Sequence, residues 1–438
     1  MEPVFVGRRL DVWRKIIFST LHEVELAKNM QRQEVMTLNY FVKKAKDVKL
    51  ADILSVGKLA LVSAARPLYA KKYTGAWIVC ERPDEARDNG YHFFKYVREK
   101  HPEKPCYYAI HKKSPDYDRV ACLGNIIEYG SLKHWSLYLC AEYNISSQKG
   151  GKPNAALCAF LELMDRIDSK LVFLQHGVTI NDVIWAHADV TQLRFFICST
   201  LPEFEFIKSR FGYRPEQLLL TGFPRFDNLH DVEPDPKLVL IMPTWRSRFV
   251  LKSNRQDQDS DFEHSHYKVS WEELLNHPKL IELMERENLK IVFFPHPGMQ
   301  PFLNCFRVDD GITIADWKKY DIQDMMKKAS IMITDYSSVF FDMVYMKKPV
   351  IFYQFDYEVF RKWDYPEGYF DYKNNAFGPS FPDADHVIDA LREVAEKGFR
   401  VSREYLKLHE ETFPYYDAYN SKRIYDALTE NGSNNETE

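Results

Sequence analysis

The stretch IMITDYSSVFFDMVYMKKPVIFY, residues 331 to 353, decides the fold. Three apolar residues and a threonine lead into a polar corner, an apolar helical run follows, and a second apolar strand closes the unit. A strand, a helix and a strand in that order predict a parallel βαβ unit. The corner is richer than a connection requires. One capping residue starts a helix, yet Asp335, Tyr336, Ser337 and Ser338 stand in a row, with Asp342 one turn further on.

The same rhythm extends in both directions. Upstream, WIVCE, CYYAI, NIIEYG, YNISSQ, KLVFLQHG, LRFFICS and LLLTG alternate with helical runs from Trp77 to Gly222. HDVEPDPK, residues 230 to 237, reads as a linker. A second alternating unit begins at LVLIMPTW and ends beyond PVIFYQ. The expected fold class is α/β, with two Rossmann-like domains facing a central cleft and an N-terminal helical segment. The expected boundaries are 1–75 for a basic helical region, 76–232 and 233–412 for the two domains, 413–430 for a C-terminal helix packing back on the first domain, and 431–438 for a disordered tail.

The 438 residues suffice for two sizeable cores, and the formal charge of −4 argues against a dedicated nucleic-acid binder. The charge is uneven. Residues 1 to 75 hold 14 Lys and Arg against 7 Asp and Glu, a net +7 that leaves −11 for the remainder. Leu54, Leu61 and Leu68 recur at heptad spacing among Lys58, Arg66, Lys71 and Lys72. That pattern suits a helical layer packed on the next domain, or an amphipathic helix on an anionic membrane surface. The seven cysteines are scattered without a CxxC pair, which points to free thiols in a reducing compartment. No apolar signal region opens the chain and no run reaches spanning length. A cytoplasmic protein, peripheral on the inner face of the cell membrane, is the expectation.

Ligands in open α/β sheets bind beyond the carboxyl ends of the strands. Five apolar strands here end in polar clusters: Gln175-His176-Gly177, Thr221 to Arg225, Pro243 to Arg246, Pro295-His296-Pro297, and Asp335 to Ser338. Ser337 and Ser338 at a helix start suit a phosphate oxygen, although simple capping would need only one of them. Arg246 suits a diphosphate through bidentate contacts, or a salt bridge. Arg225 could act in the same way or brace a hinge with Asp227. His176 is a candidate general base and His296 a candidate for stabilising charge on a phosphoryl group. Asp342 could accept hydrogen bonds from a polyol, or serve as a first-turn acid favoured by the helix dipole. Thr244 and Gly222 join the nucleotide-binding set, and Asp335 joins Asp342 as a polyol candidate. DQDSD at 257–261 and HSH at 264–266 lack the context of a metal site, so no metal ligands are assigned.

In that order, LQHG, TGFPRFDNL, MPTWR, FFPHP and DIQDMMKKASIMITDYSSVFFDMVYMKKPVIFY resemble the CDP-glycerol glycerophosphotransferase family of teichoic-acid and capsule polymerases. ERPDEARDNGYHFFKYVREKHP upstream resembles its members too. The resemblance implies a GT-B fold and transfer of a polyol phosphate, glycerol or ribitol, from a CDP-activated donor to a hydroxyl of a lipid-linked or polymer acceptor, with release of CMP. It implies His176 as base, Arg246, His296, Ser337 and Ser338 at the donor diphosphate, and Asp342 near the polyol. Many members carry a lysine shortly after the His-Gly pair; here Ile180, Asn181 and Asp182 follow. A divalent cation is left open as a cofactor. The alternatives are a GT-B glycosyltransferase using a nucleotide sugar and a non-catalytic scaffold of a polymer-assembly complex.

Overall fold

The computed structural model describes residues 50–148, 151–164, 166–250, 260–373 and 376–433. It contains two parallel sheets, as the strand–helix alternation predicts. In the first, β1 (Trp77–Cys80), β2 (Cys106–Ile110), β3 (Ile126–Glu128), β4 (Tyr143–Ser146), β5 (Lys170–Phe173), β6 (Leu193–Cys198) and β7 (Leu218–Leu220) lie in the order β3-β2-β1-β4-β5-β6-β7. In the second, β8 (Leu238–Met242), β9 (Lys290–Phe293), β10 (Ile312–Ile314), β11 (Ile331–Thr334), β12 (Val350–Tyr353) and β13 (Ser380–Phe381) follow the order β10-β9-β8-β11-β12-β13. Strand order reverses between β1 and β4 in one sheet and between β8 and β11 in the other, and these are the two crevices where an α/β sheet takes ligands. The opening stretch is therefore β11, its corner, a helix and β12, placed at the second crevice.

Helices cover both faces, so the central strands are apolar without alternation. Every residue of β1, β8, β11 and β12 is buried. The largest cluster of buried apolar side chains is continuous across the two domains, joining Trp77, Phe93 and Phe226 to Phe340, Tyr345 and Phe413. The helix Asn420–Ser433 returns to the first domain, where Tyr143 donates to the Leu428 carbonyl at 3.1 Å. Asp227 fastens its start by accepting from the backbone N–H of Asn420 and Ser421 at 2.7 and 2.9 Å. Asp227 is thus a helix cap, not a partner of Arg225. That helix runs past the expected start of the tail at 431, and residues 434–438 lie outside the described ones.

Residues 1–49, most of the expected basic N-terminal region, also lie outside the described residues. The rest of that region forms two helices, Leu50–Ala64 and Arg66–Lys72. They pack through Val62 against Trp135, Tyr138 and Leu139, and Lys58 donates to the Gly130 carbonyl at 2.7 Å. The leucine heptad does not take part in this packing. Leu54, Leu61 and Leu68 are 58%, 64% and 74% exposed. No single helix among the described residues is long and apolar enough to cross a membrane.

Candidate active site

A cavity of about 300 Å³ lies between the two sheets and is lined by both domains. The first domain supplies Arg82, Asp88, Gln175, His176 and Thr179, and the second Trp245, His296, Ser337, Ser338 and Asp342. The expected residues His176, His296, Thr244, Ser337, Ser338 and Asp342 are brought together here. Arg246, Asp335 and Gly222 are not.

His176 is presented by a tightly held turn. Gln175, just before it, has φ 62°, a left-handed conformation uncommon for a residue with a side chain. The turn is fixed from outside. Asn89 donates to the Gln175 carbonyl at 2.7 Å, and Glu203 accepts from the backbone N–H of Thr179 and Ser199 at 2.6 and 2.8 Å. Gly177 allows the second domain to approach, since a Cβ at that position would lie 2.8 Å from the Ser338 hydroxyl oxygen. His176 and Ser338 are therefore close neighbours across the domain boundary.

Both histidines are neutral bases at pH 7. Burial between the walls pulls the His176 ring down to about 4, and the positive charges of Arg225 and Arg82 push the same way. The Ser147 backbone opposes this shift weakly, and a neutral imidazole keeps one nitrogen free to accept a proton. Burial pulls His296 down to about 3, again with a contribution from Arg82. His296 Nδ1 accepts from the Gly298 N–H at 3.0 Å, so the neutral ring carries its proton on Nε2. The two histidines thus have different capacities, one as acceptor and the other as donor.

Ser337 and Ser338 precede the helix, which begins at Phe340. The N-cap position belongs to Val339, which makes no side-chain cap. Ser337 Oγ accepts from the Val339 N–H at 3.4 Å in the turn that leads into the helix, and both hydroxyls line the cavity.

Three expectations are corrected. Arg246 does not reach the cavity. It is fully buried, with Nη2 donating to Asp335 at 2.9 Å and to Asp356 at 3.0 Å, and Nε donating to Asp356 at 3.1 Å. Asp335 is also fully buried. It accepts from the Thr244 N–H at 2.7 Å, from the Thr244 hydroxyl and from the Tyr336 N–H, and so ties the corner after β8 to the corner after β11. Its lone pairs are committed to the protein, not to a polyol. Thr244 lines the cavity, but its hydroxyl proton is directed at Asp335. Gly222, at φ 82°, faces the C-terminal helix, where a Cβ would fall 1.9 Å from Asn420 Oδ1. Its role is close packing, not nucleotide contact.

Asp342 lines the cavity and is fully buried. Its two oxygens accept from Arg225 Nε and Nη2 at 2.7 and 2.8 Å. The same guanidinium donates to Asp88 at 2.9 Å and to the His176 carbonyl at 3.1 Å. Arg225 therefore braces the two domains and the histidine turn together. Burial raises Asp88 to about 6 despite this partner.

Arg82 and Trp245 escaped the sequence reading. Arg82 follows β1 at the first crevice, is exposed in the cleft and pairs with Glu85 at 3.0 Å. The rule that ligands gather at the switch-point strands would have singled it out. Trp245 stands beside His296, with ring centres 6.2 Å apart. Among the described residues no group of three or more His, Cys, Asp or Glu could hold a metal ion.

The sequence profile of the family described as CDP-Glycerol:Poly(glycerophosphate) glycerophosphotransferase matches residues 62–430. The chain belongs to this family. The minor teichoic acid biosynthesis protein GgaB of Bacillus subtilis (strain 168) is 34% identical over 365 residues, covering 82% of this chain and 40% of the relative. The teichoic acid poly(glycerol phosphate) polymerase of the same strain is 24% identical over 433 residues, covering 87% of this chain and 52% of the relative. The chain thus spans about half or less of the length of these relatives. Among solved structures, the wall teichoic acid polymerase TagF superposes with a TM-score of 0.57 at 16% identity, over 87% of this chain and 97% of that one. That likeness bears out the expected GT-B architecture.

Proposed function

We propose that this glycerophosphotransferase-family chain moves a polyol phosphate from a CDP-activated donor to a hydroxyl of a cell-wall or capsule polymer acceptor. The observation that carries this is the pairing across the cavity of a neutral acceptor imidazole, His176, with a donor imidazole and two hydroxyls, His296, Ser337 and Ser338. In this reading His176 takes the acceptor hydroxyl proton as that oxygen bonds to the phosphorus of the polyol phosphate. The bond from that phosphorus to the bridging oxygen breaks, and CMP leaves with the electron pair. His296 Nε2–H and the two serines hold the diphosphate oxygens as charge moves onto the leaving group. Asp342 faces the polyol with the lone pairs Arg225 does not use. The test is a donor screen. The full chain, incubated with acceptor and CDP-glycerol, CDP-ribitol or common nucleotide sugars, should release CMP from a CDP-polyol. UDP or GDP release from a sugar donor would show a glycosyltransferase instead.

The exposed heptad supports a membrane-facing role for residues 50–72. Leu54, Leu61 and Leu68, with Ile53 and Val56, offer apolar contact, and Lys71 and Lys72 stand in the last turn of the second helix. The chain would then work peripherally, beside a lipid-linked acceptor. Flotation with anionic liposomes tests this: replacing the three leucines by serine should abolish binding, and unchanged binding would remove the role.

A further inference from the structure

A CDP-activated donor carries a negative charge on each of its phosphates. The groups set against it so far, His296, Ser337 and Ser338, are neutral at pH 7. Arg246, the cation that the sequence offered for this charge, is spent on Asp335 and Asp356. The compensating charge has to come from elsewhere in the cavity wall.

Among the described residues that line the cavity, the arginines and lysines are Arg82, Arg87 and Arg225. Two of them are committed. Arg225 holds Asp342 and Asp88, and its side chain is 5% exposed. Arg87 pairs with Asp116 at 2.8 Å and donates to the Trp317 carbonyl at 2.9 Å. Arg82 differs. Its side chain is 49% exposed, and its ion pair is one Nη1 contact with Glu85 at 3.0 Å, three residues further along the chain. An exposed pair of this kind is weak and yields to a stronger anion. The guanidinium fork then matches two oxygens of one phosphate.

The place of Arg82 in the fold says which phosphate it meets. It stands two residues past the end of β1, at the crevice where the strand order of the first sheet reverses. His176 is on the same domain's wall, and Ser337, Ser338 and His296 are on the other. The phosphorus in transfer lies between these walls, with the oxygen that His176 deprotonates on one side and the departing CMP on the other. Arg82 is also near enough to both imidazoles for its charge to lower their pKa values.

We propose that Arg82 is a catalytic residue whose guanidinium pairs with the non-bridging oxygens of the phosphoryl group in transfer and holds their charge in the transition state. This rests on the donor reading above. Arg82 exchanges hydrogen bonds only, from Glu85 to the phosphoryl oxygens.

The test measures CMP release from CDP-glycerol and CDP-ribitol by wild type, Arg82→Met and Arg82→Lys, at varied donor and acceptor concentrations, with CMP binding followed by calorimetry. The expected result is a kcat lowered about 10³-fold in Arg82→Met, the lower range for an arginine on a transferring phosphoryl group. Arg82→Lys should recover part of this, because it keeps the charge and loses the fork. CMP affinity and the acceptor KM should stay unchanged, since CMP lacks the phosphoryl group in question. Wild-type kcat in Arg82→Met would overturn the proposal. So would an intact kcat with a raised acceptor KM, which moves the cation to an acceptor phosphate, or a parallel loss of CMP affinity, which moves it to the nucleotide. Wild-type protein that releases no CMP from either donor would refute the donor reading itself, and the assignment of Arg82 with it.

Discussion

Arg225 and Asp342 form a two-pronged ion pair, at 2.7 and 2.8 Å, buried where the two domains meet. Arg225 comes from the loop after β7 and Asp342 from the helix after β11, so the pair joins the domains at the cavity. Losing Asp342 leaves the buried guanidinium with Asp88 as its remaining carboxylate, so the cost falls below the roughly 3–5 kcal/mol of a wholly uncompensated buried charge. Asp342→Asn should lower the urea unfolding midpoint accordingly. Arg225→Met should cost more than Asp342→Asn, because it strips Asp88 and the His176 carbonyl of their donor as well. An Arg225→Met variant no less stable than Asp342→Asn would show that Arg225 is not the brace between the domains.

Gly177→Ala places a Cβ against the Ser338 hydroxyl oxygen. The expected penalty is about 1–3 kcal/mol in thermal unfolding, as for other overpacked contacts. Adding Ser338→Ala removes the opposing atom and should restore the melting temperature. Persistence of the loss in the double variant would mean that the closed approach of the domains is not as described.

The first of these predictions depends on something the sequence does not display. Alternating apolar runs made both sheets legible, because parallel strands buried on two faces must be apolar throughout. Strand-end position made His176, His296, Ser337 and Ser338 legible, because ligands collect at those ends. Arg246 looked like a phosphate ligand for the same reason. Its partner Asp356 lies 110 residues away, so its neutralisation could be seen only in three dimensions. Arg82 was overlooked for the opposite reason: among the acids of ERPDEARD it reads as a paired surface charge, and only the fold brings it to the cavity.

Glu203 anchors the turn that carries His176, and burial raises its carboxyl to about 7. Its backbone partners are N–H donors, so Glu203→Ala leaves two donors unpaired and loosens the turn. CMP release should fall at least about tenfold while CMP affinity, set on the opposite wall, stays the same. Parallel loss of both would place Glu203 in general stability alone.

The histidine pKa values give a signed pH prediction. His176 and His296 sit near 4 and 3 when folded, below the ordinary value of 6.5. Each therefore contributes stability that is present above pH 6.5 and lost as pH falls toward 4, because the unfolded chain takes up protons first. NMR titration should show the His176 ring neutral down to about pH 4. A midpoint near 6.5 would contradict the enclosed setting described for it.

The most direct test of the central claim is CMP release from a CDP-polyol by wild type and His176→Ala, with CMP binding measured in parallel. The account predicts loss of turnover by at least about 100-fold, the lower range for a general base, with CMP affinity intact. Turnover by His176→Ala at the wild-type rate would contradict it.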